Sequence, residues 1–263
     1  MARELSFRDV QITSDEIRVR RIGPADLIHA LKAGYRDFNA QPTVGVFLAV
    51  VYPLFAALLT LGLLGENLLY LAYPVIAGCT LLGPIVCVGL FEISRCREQG
   101  HDTSWRSAFE FIHTSAFAPI TALSIVMMLI YVGWLYMAEF IYFGSFGNAL
   151  PTSIADLMNQ LMTTRHGQAV VVYGNGVGLL FALSALAISV VAFPLLLDKP
   201  VTSITAVAVS IRAFSTNVLV MALWGLIVVA LLAVGAAVFL VGLAAVLPIL
   251  GHATWHLYRK LVV

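Results

Sequence analysis

The chain has 263 residues, of which 60% are hydrophobic and 11% charged, and its formal net charge is +1. A soluble domain carries about 25% charged residues, so this composition excludes a water-clothed surface; the near-neutral balance argues neither for nor against nucleic acid, and no nucleic-acid partner is expected. Cys79, Cys87 and Cys96 are an odd count, the first two in apolar runs, so no disulfide framework is implied.

Residues 1–22 read as a cytoplasmic N-terminal arm, followed by one membrane domain over 23–263. The early charges are scattered, unlike the short basic-then-apolar layout of a cleavable signal. Beyond the arm, the apolar runs Thr43–Leu64, Leu68–Ser94, Ala116–Phe143 and Ala169–Leu196 are each long enough to cross a hydrocarbon core that needs about 20 residues. A final run from Asn217 to His256 is too long for one helix; cut near Gly235 it gives Asn217–Gly235 and Val238–Leu257. The expected fold is all-α and polytopic, with six transmembrane helices.

The charges orient these spans. With six crossings, fourteen basic residues fall on one side, from Arg3 through Lys32, Arg97 and Lys199 to Lys260, and only Arg165 on the other. That asymmetry places both termini in the cytoplasm. Before the odd-numbered spans the sequence turns amphipathic. Leu27, Ile28, Leu31, Tyr35 and Phe38 share one helical face; Trp105, Ala108, Phe109 and Ile112 repeat the spacing, as do Ile204, Val207, Ala208, Ile211 and Phe214. Each predicts a short helix lying in the membrane interface.

The first and last such segments match at a single offset: Pro24 with Pro200, Ile28 with Ile204, Arg36 with Arg212, Phe38 with Phe214. "GPIVCVGLFEISR" likewise aligns with "LPILGHATWHLYR". The expectation is a parallel repeat of three units, about 23–100, 101–199 and 200–263, each an interfacial helix followed by a helical hairpin. The segments "LLGPIVCVGLFEISRCREQG", "FPLLLDKPVTSITAVAVSIRAF" and "LPILGHATWHLYRKLV" resemble a family of bacterial integral membrane proteins, domain of unknown function 2189, over most of the chain from about Ile22. Some members of that family carry a cytochrome c oxidase label without an established activity. The resemblance implies a multi-pass protein of the cell inner membrane and carries over no catalytic residues.

Several residues invite a sharper chemistry. His252 and His256, four apart, lie on one helical face and have the spacing of a shared metal site. Against this, the repeat puts Val88 and Glu92 at the corresponding positions, and the first five spans hold no histidine. The expectation is therefore an interfacial pair beside Trp255 and Tyr258, with no metal and no cofactor. Glu139 is the one acidic residue in the outer half of a span, either a relay or a carboxylate reaching the outer interface. Glu92 and Arg95 are spaced to pair at i, i+3 as an anchor. "GNGVG", Gly174 to Gly178, lacks the preceding strand of a phosphate loop and reads as small residues on a helix.

In the outer loop, Ser153 and Asp156 have capping-box spacing ahead of an apolar stripe of Ile154, Leu157, Met158, Leu161 and Met162. That stripe is a partner surface, a lid, or a helix resting on the outer membrane face, the last being the expectation. No nucleophile with a base, phosphate loop or catalytic constellation stands out. The function expected is a non-catalytic accessory, assembly or scaffold role among inner-membrane proteins, a respiratory complex included. The alternative is a transporter or channel for a small or lipid-like molecule, disfavoured by an almost bare midplane.

Overall fold

A computed structural model describes residues 12–42, 62, 68–101, 103–237 and 242–263. The expected first span, Thr43–Leu64, lies outside the described residues apart from Gly62. Among the described residues the chain is helical, with one isolated antiparallel bridge between Val19 and Val262. Its helices are α1 (Pro24–Ala40), α2 (Ala72–Cys79), α3 (Gly83–Val86), α4 (Val88–Glu98), α5 (Phe117–Phe146), α6 (Ile154–Thr163), α7 (Arg165–Ser189), α8 (Ala192–Asp198), α9 (Ser203–Thr216), α10 (Val218–Ala237) and α11 (Leu243–Leu261).

Four helical stretches among the described residues are long and apolar enough to cross a membrane: Leu69–Glu98, Phe117–Phe146, Arg165–Asp198 and Val218–Ala237. The protein is an integral membrane protein with several apolar helices. The first of these stretches is continued through 3-10 turns at Leu69–Leu71 and Thr80–Leu82, and the segment 107–113 is also a 3-10 turn where the spacing predicts an α-helix.

The chain divides into two compact units. The first comprises Met1–Val50, Pro84–Ser124 and Leu186–Val263; the second comprises Val51–Gly83 and Ile125–Ala185. In the first, α10 and α11 form a hairpin whose tip brings Gly235 against Gly242: a Cβ on Gly242 would come within 2.7 Å of the Gly235 carbonyl. The open end of the hairpin is closed by the N-terminal arm. Arg20 N–H donates to the Leu261 carbonyl at 2.8 Å, Ile22 N–H donates to Asn217 Oδ1 at 2.9 Å, and Arg212 Nη2 donates to the Ser14 carbonyl at 2.6 Å. The arm from Ser14 to Ile22 is thus bonded to the first unit.

Helix α1 starts where the sequence dictates: Pro24 fills the first turn, and the Asp26 carboxylate accepts from Gly23 N–H at 3.0 Å. Its packing face is only partly the one that the large apolar residues mark. Leu27, Ala30, Gly34 and Asp37 are buried, while Ile28 and Tyr35 are each 53% exposed. A Cβ on Gly34 would come within 2.5 Å of the Ala253 nitrogen, so the two backbones of α1 and α11 touch there. Helix α9 does the same, burying Ala206, Val209, Ser210 and Ala213 while Ile204 is 84% exposed. The physical reason is that in lipid large apolar side chains gain nothing by leaving the bilayer, whereas small residues let helices approach closely.

In the second unit Trp134 anchors the packing. Its Nε1–H donates to the Pro74 carbonyl at 2.8 Å, its indole lies against Gly178 of α7, and its ring sits 5.9 Å from that of Phe181. The "GNGVG" segment is therefore in mid-helix, with Gly178 as a helix contact and Gly174 facing no neighbour within 4 Å.

Candidate functional site

The first unit holds a buried polar cluster built from three helices far apart in sequence. Asp37 comes from the small-residue face of α1, Ser94 and Arg97 from α4, and His252 and His256 from one face of α11. Asp37, Ser94 and His252 are buried; His256 is half-buried. Ser94 Oγ donates to Asp37 Oδ2 at 2.8 Å and lies 2.8 Å from His252 Nδ1. His256 Nε2 lies 2.7 Å from Asp37 Oδ2, and Arg97 Nε lies 3.3 Å from Asp37 Oδ1.

These contacts fix the proton positions. An ionised carboxylate only accepts, so His256 Nε2 donates to Asp37. A hydroxyl carries one proton; with that proton on Asp37, His252 Nδ1 is the donor to Ser94. Burial works against the Asp37 charge, but the bonds from His256 and Ser94 outweigh it and hold the carboxyl below the usual carboxylate range. The carboxylate is left with no unsatisfied oxygen.

The arrangement contains a serine, a histidine and an aspartate, yet in an order unlike a nucleophilic triad. There the imidazole accepts the serine proton and the carboxylate sits behind the imidazole. Here the carboxylate takes the serine proton directly, and His252 presents Ser94 with an N–H rather than a lone pair. What the geometry does is tie α1, α4 and α11 together at one point. His252 and His256 are brought together on one face as their spacing predicts, but Nδ1 of the first and Nε2 of the second are engaged by Ser94 and Asp37.

A second cluster lies on the same unit. Tyr258 O–H donates to Asp198 Oδ2 at 2.5 Å, Arg259 Nε donates to Glu98 Oε1 at 3.0 Å, and Trp255 Nε1 donates to Glu98 Oε2 at 3.1 Å. Burial, then the Asp198 charge, pushes the Tyr258 phenol up, so it serves as a donor. Trp255 and Tyr258 are buried in the unit, not displayed in an aromatic belt.

Glu92 pairs with Arg95 as the i, i+3 spacing predicts, through Nε to Oε2 at 2.9 Å and Nη2 to Oε1 at 2.5 Å. Ligand atoms of Glu92, Cys96 and Glu110 lie within 4.8 Å of one another, the donor set of a cation site. The bidentate Arg95 guanidinium already occupies both Glu92 oxygens.

In the second unit Glu139 is half-buried and accepts from Tyr70 O–H at 3.0 Å; Tyr70 in turn stacks on Tyr142 with ring centroids 4.7 Å apart. Its partner is thus a phenol. Helix α6 forms with Ser153 as N-cap, its Oγ accepting from Asp156 N–H at 3.1 Å, while the Asp156 carboxylate reaches back to Thr152 N–H at 2.9 Å. Of its apolar stripe, Leu157 faces inward, Leu161 is half-buried, and Ile154, Met158 and Met162 are exposed.

Sequence reasoning missed Asp37, Ser94 and Arg97. One signal was available: Asp37 follows Ala30 and Gly34 on the small-residue face of α1, and an acid on a packing face needs a buried partner.

Residues 72–198 match the family described as a predicted integral membrane protein, DUF2189. The match is narrower than the resemblance expected from Ile22 onward, because both α1 and α11 fall outside it. No curated protein and no solved structure matches the chain.

Proposed function

We propose that this is a non-catalytic, multi-pass protein of the bacterial inner membrane, serving as an accessory, assembly or scaffold element of a larger membrane complex. The observation that carries this reading is that the buried carboxylate of the first unit, Asp37, is bonded on both oxygens by groups of the same unit. Asp37 is saturated by Ser94, His256 and Arg97, while Glu98 and Asp198 are engaged by Trp255, Tyr258 and Arg259. Groups closed in this way hold helices together, and recognition then falls to the exposed surface. A respiratory setting rests on family resemblance alone.

Six spans with both termini cytoplasmic are part of the proposal. Two observations support the sixth: α11 returns antiparallel to α10, and the pair meets at both ends, through Gly235 and Gly242 at the tip and through the arm at Asn217 and Leu261. The charge asymmetry supports the orientation. For the repeat, α1 and α9 both end at positions related by the offset that aligns Pro24 with Pro200, and Ala30 and Gly34 are buried as their counterparts Ala206 and Ser210 are.

A transporter is the second reading, favoured by the half-buried Glu139 and its phenolic partner Tyr70. The experiment that separates the two is affinity purification from the native membrane, with bound proteins and lipids identified. Stoichiometric membrane proteins are expected; a solitary protein that moves a substrate in proteoliposomes in a Glu139-dependent way would overturn the accessory reading.

A further inference from the structure

The basic face of α1 borders an open groove of about 670 Å³ in the first unit, lined by His29, Leu31, Lys32, Tyr35 and Arg36 of α1 and by Leu231 and Ile249 of α10 and α11. This face is separate from the buried one that carries Asp37. Nothing in the Asp37 cluster uses it.

Among the described residues no carboxylate pairs with Lys32 or Arg36: Asp26 is taken by Lys260 at 3.2 Å and Asp37 by Arg97. Both cations also sit beside an apolar helix. An interfacial cation held against apolar surface draws an anionic headgroup as its counter-charge. The opposite wall is wholly apolar, and the surface of α10 continues outward through Leu226, Val229 and Val234, all exposed.

We propose that this groove binds an anionic phospholipid. Lys32 and Arg36 hold the headgroup phosphate, His29 and Tyr35 supply further donors, and an acyl chain lies along Leu231 and Ile249. Two cations facing an apolar wall match the two halves of such a molecule. A soluble anion would use only the polar half, and a zwitterionic lipid would bring its own cation against Lys32 and Arg36.

The test is native mass spectrometry of the full-length protein in mild detergent, with phosphatidylglycerol or phosphatidylcholine of identical acyl chains added. Two basic residues at a bilayer surface correspond to a preference of roughly thirtyfold for phosphatidylglycerol, falling as salt is raised. K32Q/R36Q should bring the retention ratio close to one. R106Q/R165Q, which removes the same charge from exposed positions outside the groove, should leave it unchanged. If the double variant fails to fold, the wild-type ratio and the single variants K32Q and R36Q, each expected part-way, decide the matter. Equal retention of the two lipids by the wild type would overturn the proposal, as would a preference that survives K32Q/R36Q. Displacement of phosphatidylglycerol by millimolar inorganic phosphate would overturn it as well, marking a free-anion site.

Discussion

Nε2 of His256 lies 2.7 Å from Oδ2 of Asp37, across a separation of 219 residues in the chain. The contact joins the first helix to the last, and Ser94 and Arg97 on α4 complete it. A carboxylate that loses its partners, or partners that lose their carboxylate, would leave buried polar groups unsatisfied. Asp37→Ala should therefore destabilise the protein by roughly 3–5 kcal/mol, and Ser94→Ala by about 1–3 kcal/mol. Thermal unfolding in detergent, followed by circular dichroism, reads both. A loss below half a kcal/mol for Asp37→Ala would mean that the cluster does not hold the helices.

Acid should expose the same group. The Asp37 carboxyl titrates in the folded state below its ordinary value of 3.8, because the His256 and Ser94 bonds outweigh the opposing effect of burial. A lowered folded value means that the unfolded chain binds the proton first, so the stabilisation is fully present at neutral pH. It is lost as pH falls below 3.8 and through the folded value. Unfolding temperatures measured from neutrality down to the acid limit should fall less steeply at that end for Asp37→Asn than for the wild type. Parallel acid limbs would exclude this linkage.

The two glycine environments make opposite expectations. Gly34→Ala puts a Cβ within 2.5 Å of the Ala253 backbone nitrogen, so α1 must shift, at a cost of about 1–3 kcal/mol. Gly174→Ala meets nothing within 4 Å in mid-helix and should stabilise by up to about 1 kcal/mol. Melting of the two variants side by side checks this, and the reverse order would contradict the helix contact assigned to Gly34.

Topology is open to chemical labelling. In a background lacking Cys79, Cys87 and Cys96, single cysteines at Asn159 and Gln99 should react with a membrane-impermeant maleimide from opposite sides, and one appended after Val263 should behave like Gln99. Reaction of the C-terminal cysteine from the outside would reduce the last hairpin to one crossing.

How far the sequence reached follows from the physics of each element. Composition alone was enough for the helical membrane class, since no other common solvent fits it. Local signals were legible too: the Pro24 helix start, the Ser153 cap and the Glu92–Arg95 pair all depend on residues within one helical turn of each other. What stayed hidden was long-range and small. Ala30, Gly34 and Asp37 pack α1 against α11, while the eye is drawn to Ile28 and Tyr35, which lie outward. The histidines were legible as a pair, but their partners arrive from helices 158 and 219 residues away, and no periodicity encodes that.

The account rests on information carried by the surface, and helix α6 is where it can be read. Met158 and Met162 are exposed on α6 while Leu157 holds that helix down, so Met158→Asp with Met162→Asp charges the outward stripe and spares the anchor. The decisive measurement is quantitative affinity purification of wild type and this double variant from native membranes, with equal insertion verified by labelling at Gln99. The account predicts that a defined membrane protein copurifies stoichiometrically with the wild type and is lost from the variant. Recovery of the wild type alone, with no stoichiometric partner, would contradict it.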